Sequence, residues 1–161
     1  MEKRRILLLD MYGVIIKESK GYSNPTETMQ DYLKNFLTFD RDFLWFAESN
    51  KQYDFVLFSN DVKEWSKYLC ALYGLQPYFK ESIISGEVHM RKPESRIFSY
   101  ALTRMQCSPQ ECIFVDNSVK NLKEAEKMGM NTVLFRRDSE EYDGNVVNNF
   151  FELDRILKRF D

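Results

Sequence analysis

Arg5-Ile6-Leu7-Leu8-Leu9-Asp10-Met11-Tyr12-Gly13-Val14-Ile15-Ile16 is the stretch on which the fold turns. Ile6 to Leu9 form an unbroken apolar run too short for a helix of its own. Bounded by charge and glycine, the run predicts a strand buried on both faces, as in a parallel sheet. A carboxylate, Asp10, then stands at the C-terminal edge, followed by a loop loosened by Gly13. Ligands of open parallel α/β sheets bind beyond this edge. Asp10 is therefore a candidate nucleophile or metal ligand. Simple loop capping also ends strands in Asp, so the weight of the reading rests on what the rest of the chain adds.

Outward from this strand, residues 17–25 are polar and turn-rich. Thr26 is predicted to cap a helix carrying Met29, Tyr32, Leu33, Phe36 and Leu37 on one face. Asp40 is predicted to cap a second helix through Phe43, Leu44, Phe46 and Ala47. A second buried strand, Asp54 to Phe58, ends in Ser59-Asn60-Asp61. Asn60 can cap the next helix, whose inward face reads Val62, Trp65, Leu69 and Leu72, with Gly74 as its C-cap. Ile83-Ile84 makes a short strand. Lys92-Pro93-Glu94 opens a helix with Pro93 in the first turn and Ile97, Phe98, Ala101 and Leu102 inward. Ser108-Pro109-Gln110-Glu111 has the character of a capping box. Cys112 to Val115 is a further buried strand, ending in Asp116-Asn117-Ser118. A helix with Leu122, Ala125 and Met128 inward stops at Gly129. Thr132 to Phe135 is predicted as the last parallel strand, and Phe150 to Phe160 as a closing helix. Alternating strands and helices predict one α/β domain over 1–161, a doubly wound parallel sheet with a small two-helix insertion at 16–52 after the first strand.

A chain of 161 residues can bury one real core. A net charge of −2 without a basic block points away from nucleic acid as a partner. No apolar run approaches the roughly 20 residues that span a bilayer, so no membrane partner is expected. Met1-Glu2-Lys3-Arg4-Arg5 leads straight into the first strand, leaving no room for a signal-peptide apolar region. Cys70, Cys107 and Cys112 are odd in number without Cys-x-x-Cys spacing, and His89 is the single histidine. That composition argues against zinc and for reduced thiols in a cytoplasmic protein.

Three predicted strands end in polar residues: Asp10, Ser59-Asn60 and Asp116-Asn117. Lys92 lies between the last two at a helix start. In a parallel sheet all of them converge on one edge, giving a carboxylate, a hydroxyl, a cation and further carboxylate or amide oxygens. In Leu-Leu-Leu-Asp10-x-Tyr-Gly-Val, Phe-Ser59-Asn60, Arg-Lys92-Pro93-Glu-x-x-Ile-Phe and Phe-Val-Asp116-Asn117-Ser, continuing through Asn121 to Gly129-Met130, the sequence resembles the haloacid dehalogenase superfamily. The ordered set covers most of the chain from Ile6 to Phe135.

The resemblance implies a three-layer, Rossmann-like fold and a hydrolase in which Asp10 attacks the electrophile and forms a covalent aspartyl intermediate. Ser59, beside Asn60 and nearby backbone N–H groups, would hold a phosphoryl oxygen. Lys92 would offset the negative charges of Asp10 and phosphate. Magnesium would sit between Asp10, the carbonyl oxygen of Tyr12 and the Asp116-Asn117 pair. Two positions depart from the family's phosphatases, which carry a second Asp where Tyr12 stands and a metal-binding Asp where Asn117 stands. A phenol with an ordinary pKa of about 10 is a poor general base at neutral pH.

The founding dehalogenases share Asp-x-Tyr-Gly and need no metal, but Val14, Asp116 and the short insertion differ from them. Arg41, the sole arginine of the insertion, could cradle an anion, although a solvated surface charge is its simpler reading. The favoured expectation is a magnesium-dependent phosphatase acting on a phosphate ester or anhydride. The alternatives are a metal-independent 2-haloacid dehalogenase-like hydrolase and a catalytically impaired ligand- or protein-binding module. A reduced insertion leaves the site open to a phosphorylated small molecule or macromolecule, unless an oligomeric partner closes it.

Overall fold

A computed structural model describes residues 4–18, 28–138 and 140–161. In chain order the elements are β1 (Ile6–Leu9), β2 (Ile16–Glu18), α1 (Met29–Phe36), β3 (Leu37–Phe39), α2 (Asp42–Ser49), β4 (Asp54–Ser59), α3 (Lys63–Tyr73), β5 (Glu81–Ile84), α4 (Ser85–Val88), α5 (Ser95–Met105), β6 (Cys112–Asp116), α6 (Val119–Lys127), β7 (Asn131–Phe135), β8 (Asn145–Val147) and α7 (Phe150–Leu157). Six strands form one sheet in the order β5-β4-β1-β6-β7-β8, with every neighbouring pair parallel. Among the described residues no helix is long and apolar enough to cross a membrane.

β1 lies in the middle of the sheet, which is why all four of its residues are buried. Its side chains alternate between two cores, as the period of two along a strand requires. Leu7 and Leu9 join Phe43, Phe46, Phe55 and Phe150 on one face. Ile6 and Leu8 join Phe58, Phe98, Phe114 and Leu122 on the other. Helices cover both faces, giving the three-layer α/β architecture. Leu9 stands opposite Leu57 of β4 and Val115 of β6, so the carboxyl ends of the three strands are level. From β1 the chain moves outward through β4 and β5, then returns to the other side of β1 and continues through β6 to β8. That reversal places a crevice at the carboxyl end of β1.

The structure corrects several local expectations. β8 is a sixth parallel strand beyond Thr132–Phe135, too short to leave a periodic signal. Within 16–52, β2 and β3 pair antiparallel, so the insertion is not made of two helices alone. Its second helix, α2, packs beside α7 over one face of the sheet: Phe43 and Phe46 meet Phe150 at 5.6 and 5.3 Å between ring centroids. The side chain of Asn50, just beyond α2, donates to Asp154 at 2.8 Å. Thr28 caps α1, its hydroxyl accepting from the Asp31 N–H at 3.2 Å, whereas Thr26 lies outside the described residues, as do the side chains of Met29 and Leu33. Asp40 accepts from the Asp42 N–H as expected.

Asn60 does not cap α3: its side chain bonds Lys92, the N-cap position is Val62 without a side-chain cap, and the Asp61 carboxylate accepts from the Val62 N–H at 2.7 Å. Val62 and Leu72 point outward, and Ser66, Leu69 and Cys70 form the buried face of α3. Pro93 precedes α5, which starts at Ser95. The capping box at Ser108 and Glu111 is present, on a single 3₁₀ turn. Cys70 is buried, and the Cys107 and Cys112 sulfurs lie 3.2 Å apart as a hydrogen-bonded pair.

Candidate active site

Asp10 follows β1 and is held by its own N–H, which donates to the Val115 carbonyl at 3.0 Å. The chain then folds back sharply. The Met11 carbonyl accepts from the Val14, Ile15 and Ile16 N–H groups at 3.3, 3.0 and 2.9 Å, and the Gly13 N–H reaches the Ile16 carbonyl at 2.7 Å. Gly13 sits at φ +84°, a left-handed conformation that glycine adopts without steric cost. It is also required for space, because a Cβ there would lie 2.2 Å from Asn117 Nδ2.

Lys92 is the centre of the site and is 2% exposed. Its Nζ donates to Asp116 Oδ2 at 2.7 Å, to Asp10 Oδ1 at 3.1 Å and to the Phe58 carbonyl at 2.7 Å. The rings of Phe58 and Phe114 lie beneath it at 5.0 and 5.3 Å. The three acceptors end β1, β4 and β6, so one cation ties three strands. Asn60 places this lysine: its side chain donates to the Lys92 carbonyl at 2.9 Å and accepts from the Lys92 N–H at 2.8 Å. Asp116 is further bound by the Ser118 N–H at 2.8 Å and by Asn121 Nδ2 at 3.1 Å.

Electrostatics follow from burial. Loss of water raises the Asp10 carboxyl above its ordinary range, the charge of Asp116 adds to the rise, and Lys92 opposes it. Burial alone would lower the Lys92 ammonium, but Asp10 and Asp116 outweigh it and hold the group charged. Tyr12 donates its hydroxyl to Asp61 Oδ2 at 2.8 Å. Burial and the Asp61 charge push that phenol well above its usual value, so it stays protonated. Ser59 is fully buried at the end of β4, and its Oγ has no hydrogen-bond partner among the described residues. An unsatisfied buried hydroxyl costs free energy, and a ligand oxygen would satisfy it.

The remaining donor set concerns a cation. One end of the Asn117 amide lies 3.0 Å from Asp10 Oδ2, 3.1 Å from the Tyr12 carbonyl oxygen and 3.3 Å from Asp116 Oδ1. All three are acceptors. With its oxygen turned inward, Asn117 completes a group of four oxygens. Octahedral magnesium with metal–oxygen distances of 2.0–2.1 Å sets adjacent ligand oxygens about 3 Å apart, so the spacing fits. With its NH₂ turned inward, the same side chain donates hydrogen bonds to the three acceptors instead. Among the described residues no three His, Cys, Asp or Glu side chains gather to hold a metal, so backbone and amide oxygens are needed.

The structure thus brings Asp10, Tyr12, Asn60, Lys92, Asp116 and Asn117 together and sets Ser59 at the same sheet edge. Arg41 is exposed where α2 begins. Two contributors escape the sequence reading. Asp61 follows the Ser59-Asn60 pair and accepts from both Tyr12 and Ser66. Arg137, just past β7, donates to the Gly13 and Val14 carbonyls at 3.2 and 2.7 Å and to Asp40 Oδ2 at 2.8 Å, while stacking 4.5 Å from the Phe135 ring. Nothing in its surroundings in sequence marks Arg137, because its partners lie about a hundred residues earlier.

Glyceraldehyde 3-phosphate phosphatase of Methanocaldococcus jannaschii is 32% identical over 104 residues, covering 60% of this chain and 45% of that protein. The chain spans about half the length of the curated phosphatases it matches first. A phosphatase structure from Thermococcus onnurineus superposes with a TM-score of 0.78 at 18% identity, covering 95% of this chain and 97% of that one. A dehalogenase solved with an intermediate complex gives the same TM-score at 17% identity, covering 97% and 98%. The shared architecture therefore does not choose between the two chemistries. Residues 28–129 match the family model described as haloacid dehalogenase-like hydrolase. With that match across most of the chain, and the predicted motifs gathered on one edge of a parallel sheet, the protein belongs to the haloacid dehalogenase-like hydrolase family.

Proposed function

We propose that the protein is a phosphatase that uses Asp10 as its nucleophile, with magnesium held by Asp10, the Tyr12 carbonyl, Asp116 and Asn117. The observation that carries this reading is the division of labour at Asp10. One of its oxygens is bound by the buried Lys92 ammonium, and the other belongs to the group of four oxygens. Bound there, magnesium would supply positive charge against the phosphoryl oxygens. Asp10 attacks phosphorus, the bond to the leaving group breaks, and water then cleaves the aspartyl phosphate. Lys92 stabilises the charge gathered at Asp10 and the phosphoryl group, and Ser59 Oγ offers a hydrogen bond to a phosphoryl oxygen. Tyr12 supplies no proton, because its hydroxyl is committed to Asp61. The phosphatase names of the curated relatives support a phosphorylated substrate.

A second reading rests on the other orientation of Asn117. With its NH₂ inward, that amide puts donors in place of the fourth oxygen, and every oxygen of Asp10 and Asp116 is satisfied within the chain. Such a site favours metal-independent halide displacement or ligand binding without turnover. One preparation separates the readings. Magnesium-dependent phosphate release that is lost in folded Asp10→Asn supports the phosphatase, and Asn117→Asp should tighten magnesium binding in calorimetry by adding a charged ligand. Metal-independent chloride release from a 2-haloacid, without phosphate release, would overturn it.

A further inference from the structure

Next to the site lies a cleft of about 500 Å³, within the range of pockets that hold small ligands. Tyr12 and Asn60 belong to both: the Tyr12 carbonyl faces Asn117 while its ring lines the cleft, and Asn60 carries Lys92. The ring of Tyr12 is joined by Tyr32 and Trp65, and Glu18, Asp61 and Arg91 supply the charges. Three aromatic side chains from the β1 loop, α1 and α3 thus border one space.

The hydrogen bonds decide what that space can do for a departing group. Asp61 accepts from Tyr12 and Ser66 through Oδ2 and from the Val62 N–H through Oδ1. The Tyr12 proton is given to Asp61 and is not free for a ligand. The cleft therefore offers aromatic surface, and its Tyr12 phenol has no proton to give a departing alkoxide. Phenols, with pKa near 10, leave as phenolates without that help, and rings pack well on aromatic walls.

Building on the phosphatase reading, we propose that this cleft binds the aromatic leaving group of a phenolic phosphate monoester. Asp10 forms its bond to phosphorus as the phosphorus–oxygen bond to the ring breaks. The electron pair stays on the phenolate, beside Arg91, the one cation among the described residues that line the cleft. Water then cleaves the aspartyl phosphate, giving inorganic phosphate and a proton, and the phenolate takes a proton from solvent. Glu18 and Asp61 select for rings without further acidic groups.

The test compares phenyl phosphate, acetyl phosphate and glycerol phosphate as substrates for the native protein, Trp65→Leu and Tyr32→Leu. Acetyl phosphate has a good leaving group but no ring, so it reports the chemistry and the integrity of the fold alone. Each substitution should lower kcat/KM for phenyl phosphate roughly 2–10-fold, the range of one aromatic pair, and leave acetyl phosphate unchanged. Acetyl phosphate turnover with phenyl phosphate rates indifferent to both substitutions would overturn the cleft assignment and spare the phosphatase reading. If the native protein hydrolyses nothing, that reading fails, and calorimetry with benzylphosphonate against ethylphosphonate decides the cleft. Tighter benzylphosphonate binding that Trp65→Leu removes sustains an aryl site, whereas equal or absent binding of the two refutes it.

Discussion

Tyr12 meets the site with two groups of opposite use: a carbonyl oxygen available to a cation and a hydroxyl already bonded to Asp61. Replacing the phenol should therefore change acid–base chemistry while the backbone contact stays. Tyr12→Asp should raise hydrolysis of alkyl phosphates by up to ~10²–10⁴-fold and of phenyl phosphate much less. Steady-state rates on the two classes check this, and a uniform change would show that position 12 does not govern proton transfer. Asp10 gives a second expectation, for the metal-free protein. Burial raises its carboxyl from 3.8 to about 7, so the folded state binds the proton more tightly than the unfolded chain. Stability from this group therefore falls as pH rises between about 4 and 7. Asp10→Asn should flatten that part of a Tm-against-pH curve recorded with chelator. An unaltered curve would locate the pH dependence elsewhere. Asp10 and Asp116 were legible in the sequence because charge at the end of an apolar run is a local signal, and Lys92 because Lys92-Pro93-Glu94 reads as a helix start. Asp61 was not, because its partners Tyr12 and Ser66 come together only in the folded chain.

The turn between β1 and β2 is held from outside by Arg137. That guanidinium binds two carbonyls of the turn and the buried Asp40 at the start of α2. Arg137→Ala leaves those acceptors without their donor, and Lys17, 3.8 Å from Asp40 and half exposed, is a poor replacement. The expected loss is about 1–3 kcal/mol in urea unfolding, with weaker magnesium binding as the turn loosens. Stability lost without any change in metal affinity would separate the turn from the oxygen group. The same elements show what pattern reading could and could not reach. β1, β4 and β6 were plain because each is a long enough apolar run. β2, β3 and β8 are three residues each, too few to display a period of two. Asn60 was read as a cap because an amide after a strand suits either a helix start or a bridge, and only the approach of Lys92 decides.

At the scale of the whole molecule, Lys92 compensates two buried carboxylates contributed by different strands. Lys92→Met removes the cation and leaves both charges in the interior, a change that costs about 3–5 kcal/mol when a buried pair is broken. The deficit should shrink as pH falls and the Asp10 carboxyl, raised by burial, takes up a proton, which urea titrations at several pH values would show. A deficit independent of pH would mean that packing, not charge, is what the lysine provides. The order β5-β4-β1-β6-β7-β8 carries a further consequence, for the protein as it is made. β1, first in the chain among the strands of this sheet, ends up between β4 and β6, and its second neighbour is complete only at Asp116. Until that residue has left the ribosome, β1 is an open sheet edge and Asp10 lacks part of its surroundings. A nascent chain stalled before β6 would thus expose one edge of the most apolar strand of the sheet to pairing with another growing chain.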